Sequence, residues 1–276
     1  MRPIGLHVRL KSGLADVLQA VDELALNVVQ SFLITESNKY ASLSDKLIDR
    51  FTKAKKQQDF LYFVHAAYWS GLHDIKSKMF TSLKQEMSIA QDLQSDGIVV
   101  HIGAGKAGMS QKDKALYVAE SINELSVMYP QVKLILENSP HAGRNFGGNI
   151  DDFAVLMDCV EDKSFINFCV DTAHAFVFGY NLANQRKLDD FLHQIDSIFE
   201  ASNMALIHFN DAVDKCGSYI DKHEVPGEGL IGKNALQHCM NSQSFKDLPI
   251  IMELSSSCQD SYPNILNTVK SWDDQG

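Results

Sequence analysis

The chain has 276 residues, 45% hydrophobic and 22% charged, an ordinary globular composition whose length suits one large α/β domain. Acidic residues outnumber basic ones by 35 to 25, a net charge of −10, which weighs against a nucleic-acid partner unless positive charge is concentrated locally or brought by a metal. Five scattered cysteines, with no closely spaced pair, argue against a disulfide framework or a thiolate zinc cluster and for a reducing compartment.

The chain opens without the long apolar core of a signal peptide, and it contains no window of 18 uninterrupted apolar residues, so neither secretion nor membrane insertion is expected. Eight short apolar runs then follow one another: 4–8, 28–34, 60–65, 97–102, 133–138, 166–171, 204–210 and 248–254. They are rich in Val, Ile, Leu and Phe without strict alternation, as strands covered on both faces should be. Between most of them lie stretches of helical period, such as KDKALYVAESINELSVMY (112–129) and QRKLDDFLHQIDSIFEASN (185–203). Strand alternating with helix eight times predicts a (β/α)8 TIM barrel spanning 1–276 as a single domain, with an open doubly wound sheet as the rival.

Six runs end on a side chain able to bind a metal: His65, His101, Glu137, Asp171, His208 and Glu253, spaced 34 to 45 residues apart. That is about one strand–helix unit, so in a barrel all six would meet at the carboxyl ends of the strands, where barrel active sites form. His174 follows Asp171 at a turn, and Asp221 and His223 sit two apart, on one side of an extended segment. Singly, each has a bland explanation: a core histidine bonded to a carbonyl, a strand-end acid paired with an arginine, a solvated loop. Nine such residues at successive strand ends would desolvate one another ruinously without cations, so the set points to metal. Imidazole with carboxylate suits zinc, with manganese or iron as alternatives, and nine ligands would serve two or three ions. Several ions in one cleft suggest phosphoester hydrolysis.

Three stretches carry a family likeness: VDTAHAFVFGYNL (170–182), HFNDAVDKCGSYIDKHEVPGEGLIG (208–232) and LENSPHAGRNFGG (136–148). Through them the chain resembles, over nearly its full length, the endonuclease IV family of apurinic/apyrimidinic (AP) endonucleases, which use three zinc ions. The resemblance implies that His65, His101 and Glu137 hold one Zn2+. Glu137, Asp171, His208 and Glu253 would hold a second, and His174, Asp221 and His223 a third, with Glu137 bridging and Glu137 and Glu253 assigned to catalysis. It implies cleavage of the phosphodiester 5′ to an abasic site in double-stranded DNA, leaving a 3′-hydroxyl and a 5′-deoxyribose phosphate, with 3′-blocked damage as a related substrate. The protein would be a monomer of the cytoplasm (nucleoid-associated) or nucleus. Expected DNA contacts are Tyr68, Trp69, Lys39, Arg144 and Lys222, with Tyr40, Lys106 and Lys215 nearby. Two departures from the family pattern stand out: HIGA (101–104) lacks a proline and a hydroxyl, and AAYWSGL (66–72) replaces a Tyr-Leu-Ile-Asn-Leu pattern. The alternative is a xylose-isomerase-like sugar isomerase or epimerase, a barrel enzyme with fewer ligands and one or two divalent metals.

Overall fold

Each of the eight apolar runs forms a parallel strand in the computed structural model, which describes residues 2–37, 39–41, 43–72, 74–103, 108–141, 146–199 and 203–273. The strands are β1 (Ile4–Leu10), β2 (Val28–Thr35), β3 (Leu61–His65), β4 (Gly97–His101), β5 (Leu134–Glu137), β6 (Ile166–Asp171), β7 (Met204–His208) and β10 (Ile250–Met252). They close into a barrel in sequence order, β10 pairing with both β7 and β1. The remaining two strands, β8 (Asp211–Ala212) and β9 (His223–Glu224), form a small antiparallel pair beyond the end of β7. A closed eight-stranded parallel barrel with alternating helices is the TIM-barrel fold.

Helices follow the strands as α1 (Ala15–Leu24), α2 (Asp45–Gln58), α3 (Lys78–Asp92), α4 (Gln111–Met128), α5 (Asp151–Met157), α6 (Thr172–Phe178), α7 (Gln185–Ile198), α8 (Lys233–Met240) and α9 (Tyr262–Lys270). Their starts are written in short polar side chains. Ser44 and Ser77 cap α2 and α3, Asn184 caps α7, and Ser110 with Asp113 forms a capping box on α4. The helical stretch expected to 203 stops at Ile198, because Phe199 is extended and turns its ring into the core, 4.3 Å from that of Phe168. The last strand is also shorter than its run. Beyond Met252 the backbone leaves the sheet, and the Glu253 N–H donates to the Asn210 side chain at 2.8 Å.

Two apolar clusters hold the fold. The larger packs the helices against the outside of the barrel; the smaller consists of Val28, Phe63, Val99, Ile135, Cys169, Leu206 and Ile251, one from each of seven strands. Because side chains alternate along a strand, the residue two positions further points the same way. That step leads from Phe63 to His65, Val99 to His101, Ile135 to Glu137, Cys169 to Asp171, Leu206 to His208 and Ile251 to Glu253. The apolar interior is thus the floor on which the polar set stands. On β1 and β2 the same positions hold His7 and Gln30, both buried.

Candidate metal centre

Glu137 lies at the middle of the cluster, fully buried, at the end of β5. Its Oε2 is 3.3 Å from His65 Nε2 and 3.0 Å from His101 Nε2; its Oε1 is 2.8 Å from His208 Nδ1 and 3.2 Å from His174 Nδ1. Asp171 ends β6 and caps α6, its Oδ1 accepting the His174 N–H at 2.8 Å. One carboxylate therefore fixes where the next helix begins, and so places His174 in its first turn. A second corner forms where Asp221 Oδ1 approaches His174 Nε2 at 3.3 Å and His223 Nε2 at 3.1 Å. Glu253 Oε2 completes the set, 3.8 Å from His208 Nδ1 and 3.6 Å from His223 Nδ1.

The hydrogen bonds decide which ring atoms face inward. His65 donates Nδ1–H to its neighbour's carbonyl, Ala66 O, at 2.9 Å, and His174 donates Nδ1–H to Asn138 O at 2.9 Å. Each then presents a bare Nε2 lone pair to the cluster. His174 Nε2 and His223 Nε2 are only 3.4 Å apart, beside a carboxylate oxygen that is also an acceptor. Glu137 Oε2 is buried with no hydrogen-bond donor. Lone pairs converging on lone pairs repel unless a cation lies between them. Atoms 2.0–2.1 Å from a tetrahedral zinc sit about 3.3 Å from each other, close to the separations found here. The residues fit divalent cations.

Electrostatics agree. Burial alone pushes the His174 and His208 imidazoles down; neighbouring acidic groups, Asp171 foremost for His174 and Cys169, Glu253 and Glu137 for His208, reverse this and hold both well above the ordinary range. His65 and His223 are raised in the same way, chiefly by Glu137 and by Asp171. Burial would raise Glu137 and Glu253, yet the surrounding imidazoles, His101 and His208 for the former and His208 and His7 for the latter, hold both well below the usual carboxylate range. These shifts mark a site that favours positive charge, a demand that bound cations would meet.

A cavity of about 390 Å³ opens over the cluster, lined by His7, Arg9, Phe32, Tyr68, Lys222 and Ser255 together with six of the nine acidic and histidine residues. Of the expected DNA contacts, Tyr68 stands at this mouth, 79% exposed and 5.3 Å from the Phe32 ring, and Lys222 lines it. Trp69, Lys39 and Lys215 do not line the cavity. Tyr40 folds back, its backbone bridging to Ile34 and its ring packing on the core. Arg144 and Lys106 lie outside the described residues.

Four partners escaped the sequence reading: His7, Gln30, Asn138 and Asn210. Asn138 Oδ1 accepts the Asp171 N–H at 2.6 Å, and Asn210 Nδ2 donates to Asp171 Oδ2 at 2.7 Å. His7 and Gln30 had a signal, a polar residue inside an otherwise apolar strand; the two asparagines, each just past a strand end, had none apart from their motifs. Another part of the motif proves architectural. Buried Asp211 accepts four backbone N–H groups, of Ala212, Ile231, Gly227 and Gly232, at 2.8–3.1 Å, and so folds the PGEGLIG loop (226–232). At Gly229 a Cβ would meet Ala212 O and Asp211 Oδ1 at 2.6 Å, so only glycine lets the loop close over this carboxylate.

A closed barrel with clustered histidines and carboxylates at its mouth defines a TIM-barrel protein with candidate metal-binding sites. The chain belongs to the xylose isomerase-like TIM-barrel family, whose model matches residues 18–273. Among solved structures it is similar to endonuclease IV from Thermus thermophilus (TM-score 0.84, 22% identity, 99% of this chain and 100% of that one). It is also similar to a D-tagatose 3-epimerase-like protein (TM-score 0.72, 17% identity, 98% of this chain and 96% of that one). A third similar structure is the IOLI protein with a binding zinc atom (TM-score 0.68, 14% identity, 98% of this chain and 96% of that one). At these identities the likenesses establish the fold and leave the reaction to the site.

Proposed function

We propose that this chain is a metal-dependent phosphodiesterase of the endonuclease IV type, cutting duplex DNA 5′ to an abasic site, with residues 1–276 acting as one domain. The observation that carries this reading is the corner formed by His174, Asp221 and His223, built beside a set, Glu137, Asp171, His208 and Glu253, that could hold an ion by itself. Together with His65 and His101 on the far oxygen of Glu137, the donors divide into three groups, two of which share Glu137. Three zinc ions are the natural complement.

Divalent ions in such a set supply Lewis acidity, lowering the pKa of water and offsetting charge on phosphoryl oxygens. The chain's own residues do the remaining work. Glu137 holds histidines on both of its oxygens in fixed register. Arg9 and Lys222 are the arginine and lysine of the cavity wall among the described residues, and they would draw the phosphodiester over the carboxylates. Arg9 forms no ion pair with any described residue, so its charge is available to a ligand. Tyr68 offers an exposed ring at the rim against which a sugar lacking its base can rest. An abasic nucleotide turns out of the duplex cheaply because its base is already gone, which gives selectivity without sequence readout.

The test is a duplex oligonucleotide carrying one tetrahydrofuran abasic analogue, with and without prior chelation. The analogue cannot undergo β-elimination, so a metal-dependent break on its 5′ side is hydrolysis and supports the reading; an intact strand at micromolar protein with metal bound overturns it. The second reading, a sugar isomerase or epimerase, is favoured by the completeness of the four-residue set alone and by the epimerase-like relative. About one metal per chain, and turnover of a free ketose, would establish that reading instead.

A further inference from the structure

His7 and Gln30 occupy on β1 and β2 the position that holds a proposed metal ligand on each of the other six strands. All eight strands therefore carry a polar side chain at this point in their alternation, and two of the eight have no role in the metal reading. A buried glutamine is costly unless its amide is satisfied at both ends. Gln30 is fully buried, and its amide touches two members of the Glu137–Asp171–His208–Glu253 group and none of the others.

We propose that Gln30 is a positioning residue that selects the donor atoms of this group. The inference rests on the metal reading above. Gln30 Oε1 lies 3.0 Å from His208 Nε2. An amide carbonyl only accepts, so the proton of His208 is held on Nε2, and Nδ1, facing Glu137 Oε1 at 2.8 Å, becomes the ring atom free to bind an ion. At its other end Gln30 Nε2 donates to Glu253 Oε1 at 2.9 Å. A carboxylate oxygen accepts, so this contact demands the same amide orientation as the first. His7 Nδ1 lies 3.1 Å from the same Oε1 and 2.9 Å from Gln30 Nε2, whose second N–H it accepts, so the imidazole supports the same amide orientation. With Gln30 donating to Oε1, Glu253 turns Oε2 toward His208 and His223. One amide thus sets the tautomer of a histidine and the rotation of a carboxylate on two neighbouring strands.

Two substitutions of similar length separate positioning from core packing. Gln30→Met removes all three contacts of the amide; Gln30→Glu keeps the acceptor for His208 and loses the donor to Glu253 and His7. Zinc-loaded protein is read by long-range ¹H–¹⁵N spectra of its histidines, by metal affinity against a competing chelator, and by thermal unfolding after metal removal. Wild type should show His208 protonated at Nε2. Gln30→Met should lose that preference and weaken zinc at this position about 10–100-fold, the usual effect of removing a partner of a ligand. Gln30→Glu should keep the tautomer but lose affinity to a similar degree. Unchanged tautomer and affinity in Gln30→Met, with only the metal-free melting temperature lowered, would overturn the proposal and leave Gln30 a satisfied core amide. None of these readouts requires DNA cleavage, so an inactive protein that binds zinc as described refutes the nuclease reading and not this one.

Discussion

Glu137 is the residue on which the centre depends, since both its oxygens are shared among four histidines at 2.8–3.3 Å. Glu137→Gln leaves the shape and removes the charge. Under the nuclease reading, incision of the abasic duplex should fall by about 10³-fold or more, with loss of bound zinc measured by elemental analysis. Arg9 makes a gentler prediction. Arg9→Ala should weaken binding of duplex DNA uniformly across sequences and lower the slope of log affinity against log salt by about 1, while zinc content stays constant. A third test lies under the loop that carries Tyr68 and Trp69. Glu86 of α3 is buried and meets the Ala67 N–H at 3.2 Å; burial pushes its carboxyl up to about 7. A carboxyl raised in the folded state keeps its proton after the unfolded chain has lost it, so its contribution to stability declines as pH rises from about 4.5 to 7 and is flat above. Glu86→Gln should match wild type near pH 4.5 and exceed it by roughly 1–3 kcal/mol at pH 7.5 in urea unfolding. Equal stability at both pH values would show that Glu86 ionises freely.

At the scale of elements, the motifs divide into chemistry and scaffolding in a way their wording conceals. Asp171 and Asp211 are both buried aspartates in motif stretches, yet the first caps α6 and faces three histidine-bearing elements, while the second is consumed by four backbone N–H groups. Asp211→Asn replaces one acceptor oxygen by a donor and strands part of that loop. It should cost about 1–3 kcal/mol in unfolding free energy, measured on metal-free protein, through loss of hydrogen bonds rather than of a ligand. The strands were legible because a parallel barrel buries both faces of each and so writes continuous apolar runs. The short pair β8 and β9 was not: two residues per strand give no period to read. It is this pair that brings His223, and with it Asp221, back over the barrel to His174.

For the whole molecule, the centre joins strands β3 to β7 and the segment after β10, so occupancy should tie distant parts of the chain together. Chelation should lower the melting temperature and zinc should restore it, since a ligand at about 1,000 times its Kd adds about 4 kcal/mol to stability. A melting temperature indifferent to zinc would count against any tight site. The net charge of −10 also bears on the mouth at this scale. Four of the acidic residues, Glu137, Asp171, Asp221 and Glu253, face imidazoles at the barrel mouth, and ions bound there would offset their charge. Among the described residues no helix is long and apolar enough to cross a membrane.

The sequence by itself determined the eight strands, their order around a barrel and the nine candidate ligands. Continuous apolar runs and one-unit spacing are local properties, and the barrel converts them into position without further information. Only the tertiary structure decided which ligands share an ion-sized space, which ring nitrogen each histidine presents, and that His7 and Gln30 belong to the same layer. Those facts depend on atoms from strands far apart in the chain approaching within 3–4 Å, and on carbonyls such as Ala66 O and Asn138 O that take one proton and leave the other nitrogen bare. Tautomers are set by neighbours in space, and no spacing along the chain encodes them.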